Sequence, residues 1–145
     1  MTLGAFRNSD IAIGGVAYAP PHHALLPEIA RRGFAFIERS LEPREGAVAA
    51  FLFMARTQFF HDANKRTASL MMNGHLMRHG YCPLTVPYGD SEAFHAELTK
   101  FYNTGDATGM MRFFHTVASA CENVEPGMGR LHNPSMRLEG RILFK

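Results

Sequence analysis

The stretch AVAAFLFMA, from Ala47 to Ala55, carries apolar side chains on every side if it forms a helix. Such a helix is expected at the centre of a bundle, because other elements must cover its whole circumference. It has about half of the roughly 20 residues that a membrane-spanning helix needs. We therefore predict an all-α domain built around a helix at Ala47–Phe59, with Pro43 and Glu45 at its start.

Apolar residues recur at helical spacing before and after this central segment. One stripe runs from Ala24 to Arg39, and another helix is predicted from Asn64 to His79, with Gly80 as its stop. Ser91 and Asp106 stand where N-caps are expected for two later helices. Together these segments predict a helical bundle rather than a sheet.

A single β-type signal lies near the N-terminus. IAIGGVAY, Ile11–Tyr18, places two short β-type runs around Gly14 and Gly15, which tolerate the positive φ angles of a tight hairpin turn. We predict a small β-hairpin flap at residues 11–18.

Composition excludes several function classes. The 145 residues suit one domain, 46% of them are hydrophobic, and the formal charge of +2 is too small to indicate a nucleic-acid partner. The N-terminus lacks the basic region and apolar run of a signal peptide. We expect a cytoplasmic protein that engages neither nucleic acid nor a membrane; the oligomeric state is left open.

The segment DANKR, residues 62–66, concentrates charge at a predicted helix start, where unpaired N–H groups and the helix dipole favour anions. Small Ala63 lets backbone approach a ligand, Lys65 and Arg66 suit phosphate oxygens, and Asn64 can donate or accept. Asp62 suits Mg²⁺, which bridges carboxylates and substrate phosphates. The alternative is an Asp–Asn helix cap followed by solvated basic side chains.

With Phe60 before it, HDANKRTA resembles the signature of the Fic/Doc family, His-x-Phe-x-[Asp/Glu]-[Gly/Ala]-Asn-[Gly/Lys]-Arg. IAIGGVAYAPP resembles the flap of that family, and NGHLMRHGYCPL and FYNTGDATGMMRFF resemble its later helices. The resemblance covers Ile11 to about Val117. It implies a Fic-type helical bundle with a flap at 11–18 and a motif loop at 58–66, in a domain spanning residues 1–125.

The resemblance also implies roles for single residues. Asp62 corresponds to the Mg²⁺ ligand, Ala63 and Asn64 to the anion hole, and Arg66 to the phosphate-binding arginine. Lys65 is typical of Doc-like members, which are associated with phosphate rather than AMP transfer. The flap would dock a target segment as an added strand; its central residues are Ile13, Gly14, Gly15 and Val16.

Gln58 stands where the family has its general-base histidine. Glutamine can orient a hydroxyl but has no titratable group to take its proton. His61 is a candidate substitute, although pairing with Asp62 or a solvent-facing position is the favoured interpretation. Ser69 replaces a second arginine found in many members, as it does in Doc-like proteins.

Residues 126–145 are predicted to be a linker and a last helix from Asn133 to about Phe144. Within them, SMRLEG resembles the inhibitory motif of the family, with Ser135 and Glu139 on one helix face. The arginine that such a glutamate pairs with is replaced by Ser69, so an ordinary amphipathic end helix is an equal alternative.

Two histidine pairs lie outside the signature. His75 and His79, at i and i+4, could bind a metal on a helix face, but no third ligand accompanies them at motif spacing. His22 and His23 follow a proline pair and are interpreted as loop residues.

These observations lead to two expectations of function. The first is a protein that binds ATP or another nucleotide with Mg²⁺ and transfers AMP, or phosphate, weakly or atypically to a Ser, Thr or Tyr hydroxyl of a protein target. The second is a catalytically inactive Fic-like regulator that binds nucleotide or a partner protein.

Overall fold

The computed structural model describes residues 4–122, and of Ser40 and residues 120–122 it describes the backbone alone. Five α-helices form the domain. They are α1 (Leu26–Ser40), α2 (Pro43–Thr57), α3 (Asn64–Arg78), α4 (Ser91–Thr104) and α5 (Thr108–Glu122), with single 3₁₀ turns at His23–Leu25 and Tyr88–Asp90. Across the described residues no strand is formed and no helix is long and apolar enough to span a bilayer.

Helix α2 is the centre of the bundle, as its all-round apolar sequence predicts. Every residue from Gly46 to Ala55 is buried, and α2 packs against α1, α3 and α5. Phe51 meets Phe114 of α5 edge-on at 5.4 Å, an arrangement that aromatic rings favour. The approach of α1 is close because Gly33 has no side chain: a Cβ there would lie 2.2 Å from the Phe53 ring.

Helix α2 begins at Pro43 and ends at Thr57, two residues before its predicted end at Phe59. Gln58 adopts φ 54° and ψ 66°, which is left-handed, and its N–H closes the helix on Met54 O at 3.0 Å. This early end starts the motif loop.

The predicted β-hairpin at residues 11–18 is wrong in one respect. A turn forms at Ile13–Val16, with Gly15 at φ 79° and a 3.4 Å hydrogen bond from Val16 N to Ile13 O, but no strand pairing flanks it. Ile13 and Val16 instead pack on the core. The two-residue glycine signal specified the turn, whereas the residues beside it contact the bundle instead of each other: Ala17 N donates to Asn103 Oδ1 of α4 at 3.0 Å.

The later helices agree with their predicted positions. Asp106 Oδ1 accepts from Thr108 N at 2.9 Å, as a cap at this position should. Helix α4 starts at Ser91, with Asp90 rather than Ser91 in the N-cap position. The predicted last helix, with Ser135 and Glu139, lies outside the described residues.

Candidate functional site

A cleft of about 420 Å³ opens between the flap, the motif loop and α4. The flap contributes backbone and small side chains, the loop contributes the charged residues, and α4 contributes one polar helix face. The lining residues from α4 are His95, Leu98, Thr99 and Tyr102, and those from the flap are Ala12, Ile13, Gly14 and Val16.

Two left-handed residues shape the motif loop. Gln58 at its start and Ala63 at its end have φ 54° and 61°, and non-glycine residues adopt such angles at a steric cost. Ala63 immediately precedes α3, so this backbone conformation aims the first turn of α3 at the cleft.

The interior of the loop is held by an amide bracket, which we define as the hydrogen bonds among Gln58, Phe60 and Asn64. Asn64 is only 7% exposed; its Oδ1 accepts from Phe60 N at 2.9 Å and its Nδ2 donates to Phe60 O at 2.7 Å. The same Nδ2 donates to Gln58 Oε1 at 3.0 Å, and Gln58 Nε2 donates to Ala55 O at 2.5 Å. The side chain of Asn64 is thus committed to the loop itself.

Gln58 is half-buried and lines the cleft, at the position where the signature has its base. Both ends of its amide already hold a partner within the protein. A glutamine offers a substrate no titratable group, and each end of its amide can make one further hydrogen bond.

The charged side chains form a rim on the outer side of the loop, which we define as Asp62, Lys65 and Arg66. All three are exposed and line the cleft. Asp62 Oδ2 and Arg66 Nη2 lie 3.4 Å apart, with 84% and 77% of their side chains exposed. An ion pair so exposed contributes little to stability, so a ligand can displace it cheaply.

Helix α3 starts at this rim without a side-chain cap. Asn64 bonds back to Phe60 and Asp62 faces Arg66, so the helix-cap interpretation of these two residues is wrong. The first N–H groups of a helix have no intrahelical partner and carry partial positive charge. The start of α3 thus combines backbone donors with two full cations.

Sequence analysis missed a clamp made by Arg7, whose side chain is fully buried. Its Nε donates to Gln58 O at 2.7 Å, its Nη1 to Ser9 O at 2.8 Å, and its Nη2 to Pro21 O. Its backbone N donates to Phe59 O at 2.8 Å. The clamp fixes the N-terminal segment against the start of the motif loop, and nothing in the local sequence pattern pointed to it.

The contribution of α4 to the cleft was also missed, although His95, Thr99 and Tyr102 recur at helical spacing and could have been recognised as one helix face. Burial raises the pKa of Tyr102 to about 12. Nearby, Ala17 N donates to Asn103 Oδ1 at 3.0 Å, which attaches the flap to α4.

His61 does not pair with Asp62. Its Nε2 lies 3.0 Å from Asn8 Oδ1, so the ring is held against the N-terminal segment while still bordering the cleft. Ser69 is half-buried in the second turn of α3 and does not line the cleft.

Comparison with known proteins shows the family of this chain. The family model described as "Fic/DOC family" matches residues 1–76. The protein adenylyltransferase Fic of Drosophila grimshawi is 32% identical over 114 residues, covering 76% of this chain and 23% of its own length. That of Drosophila yakuba is 34% identical over 112 residues, covering 76% and 22%.

The solved structure of Fic-1 (residues 134–508) from C. elegans shares the fold, with a TM-score of 0.61 at 22% identity. It matches 79% of this chain and 34% of its own. The chain spans less than a quarter of the length of the Drosophila relatives. The predicted Fic-type helical fold is confirmed: the chain belongs to the Fic/DOC family.

Proposed function

We propose that the motif loop binds the phosphates of ATP or another nucleotide together with Mg²⁺, and that the protein transfers AMP, or phosphate, weakly or atypically to a hydroxyl of a protein target. The observation that carries this proposal is the uncapped start of α3, which opens on the cleft beside Lys65 and Arg66. A helix N-terminus with added cations is a natural phosphate site. The names of the Drosophila relatives support adenylyl transfer as the reaction class.

The residues of the rim fit Mg²⁺. Asp62 is an exposed carboxylate at the edge of the cleft, and Mg²⁺ needs only one or two carboxylates when substrate phosphates and water complete its shell. Asp62 would hold the ion, and the ion would neutralise phosphate charge. Arg66 would then exchange the Asp62 carboxylate for phosphate oxygens, which it can bind in bidentate fashion.

The flap would position the hydroxyl-bearing segment of the target. Its residues 11–18 form no strand pairs within the described part of the chain, and its turn lines the cleft. An extended target segment could add to this backbone as a strand, with Ile13 and Val16 anchored on the core beneath.

The second candidate function is a catalytically inactive regulator that binds nucleotide or a partner protein. Gln58 favours it, because a loop with glutamine at this position presents phosphate donors without a base. The two candidates share the nucleotide site and differ in transfer, so binding is to be tested first.

Calorimetric titration with ATP and ADP, with and without Mg²⁺, tests the shared site. We expect Mg²⁺-dependent binding that weakens at least severalfold in Arg66→Ala, since a charged phosphate contact is lost. Arg112→Ala is the matched control: Arg112 is an exposed arginine on α5 that does not line the cleft. Equal affinity of wild type and Arg66→Ala, or equal losses in both variants, would contradict the phosphate site.

A further inference from the structure

Asp10, His22 and His23 converge at the base of the flap, outside the cleft. One ligand atom from each lies within 4.8 Å of the others. Asp10 Oδ1 is 3.0 Å from His23 Nδ1, Asp10 Oδ2 is 3.7 Å from His22 Nε2, and the two rings are 4.2 Å apart. We propose that these three residues bind a divalent transition-metal ion, with Zn²⁺ the best match, and that the ion ties together the two ends of the flap.

The donor set selects the class of metal. Two imidazoles and one carboxylate are ligands typical of Zn²⁺ and its first-row neighbours, whereas Mg²⁺ and Ca²⁺ prefer oxygen alone. The side chains of His22 and Asp10 are 55% and 58% exposed, so water can complete the coordination shell. Ligands of tetrahedral zinc stand about 3.3 Å apart at bond lengths near 2.0 Å, so only small side-chain movements are needed.

Two neighbouring groups oppose metal binding. Arg7 Nη1 lies 3.5 Å from Asp10 Oδ1, and this cation is fixed by its carbonyl partners. His22 Nδ1 accepts from Ala24 N at 3.3 Å, a long contact that is given up when Nε2 binds a metal. Both effects weaken the binding of any divalent ion, and an ion that forms strong bonds to nitrogen offsets them better than a hard cation does.

The consequence for the flap follows from chain connectivity. Asp10 directly precedes residues 11–18, and the two histidines follow the flap after Pro20 and Pro21. An ion bound across these ends closes the intervening segment as a loop and removes conformations that open it. The metal would therefore restrict the flap without occupying the nucleotide site.

The test is calorimetric titration of the tag-free full chain with Zn²⁺ alone. We expect one ion per chain, with binding at least tenfold weaker in Asp10→Asn and in His23→Gln. Asp10→Asn keeps an oxygen that can accept from His23 N, a hydrogen bond of 3.0 Å in the wild type, so loss of binding would not reflect loss of this contact. His79→Gln breaks the His75–His79 pair, whose rings are 4.7 Å apart, and should bind as the wild type does.

Hydrogen exchange with and without Zn²⁺ provides the second measurement, and we expect slower exchange of the amides of residues 11–18 in the wild type but not in His23→Gln. No Zn²⁺ binding, or binding lost in His79→Gln and kept in His23→Gln, would overturn the site. Unchanged flap exchange on a metal-bound protein would overturn the link to the flap. Asp62→Ala should bind Zn²⁺ normally, which separates this site from the proposed nucleotide site.

Discussion

The polar groups on the inner side of the motif loop bond within the protein, whereas those on the outer side are exposed to solvent. Inside, the amide bracket uses Gln58 and Asn64 to hold backbone groups of the loop. Outside, the rim of Asp62, Lys65 and Arg66 is exposed, and its one ion pair is 3.4 Å long. Residues only a few positions apart therefore have different roles. Those of the amide bracket support the loop, and those of the rim are available to a ligand.

This difference bears on how the family signature is interpreted. The resemblance assigns Ala63 and Asn64 to the anion hole, and the hydrogen bonds of the Asn64 side chain go to Phe60 and Gln58. Its contribution to phosphate binding is thus proposed to be indirect, through the shape of the loop and the backbone N–H groups at the start of α3. Substitutions in the amide bracket should consequently change both stability and nucleotide affinity, whereas substitutions in the rim should change affinity alone.

The largest expected effect comes from restoring a base on the inner side. Gln58→His should raise transfer from labelled ATP to a protein substrate or to the chain itself by about 10²–10⁴-fold, the usual contribution of general-base catalysis. The backbone favours this change, because histidine is enriched at the left-handed angles that Gln58 adopts. The measurement is incorporation of label over time at saturating nucleotide.

Gln58→Asn is the matched control for that experiment. Asparagine also tolerates the left-handed region but has no titratable group, so it loosens the amide bracket without adding a base. A gain in both variants would mean that the bracket, not the missing base, limits transfer. No gain in Gln58→His with nucleotide binding intact would favour the inactive regulator.

Asn64→Ala should remove the hydrogen bonds of the amide bracket. Removing the amide leaves the N–H and C=O of Phe60 without their partner, and we expect a loss of about 2–3 kcal/mol in the free energy of unfolding, measured by urea denaturation. Nucleotide affinity should fall as well. Arg66→Ala, on the rim, should instead change stability by less than about 0.5 kcal/mol.

Asn73→Ala is a matched control for Asn64→Ala. Asn73 brackets Leu84 in the same way, with Oδ1 accepting from its N at 2.8 Å and Nδ2 donating to its O at 3.1 Å. Asn73→Ala should also destabilise the fold, yet leave nucleotide affinity unchanged. If both variants lost affinity in proportion to stability, the bracket would have no specific role at the site.

Sequence reasoning predicted the bundle well, because apolar periodicity is a local signal and α2 is apolar all round. It grouped the loop residues at the site through a short contiguous signature. It could not find the Arg7 clamp, because Gln58 and Pro21 are distant from Arg7 in sequence and contribute only backbone carbonyls, which every residue has. The flap strands were overpredicted for the related reason that tertiary packing, rather than β propensity, decides whether two runs pair.

The smallest expected effect concerns Ala63, the left-handed residue immediately before α3. Ala63 holds φ 61°, a conformation that glycine adopts without penalty, so Ala63→Gly should stabilise the fold by about 0.5–1 kcal/mol. Ala96→Gly, at an exposed position inside α4, should destabilise by a similar amount, because there glycine only adds freedom to the unfolded chain. If thermal unfolding shows a gain in stability for Ala63→Gly and a loss for Ala96→Gly, the orientation of α3 towards the cleft is maintained against backbone strain at Ala63. A loss of stability in both variants would mean that the conformation of Ala63 costs the fold nothing.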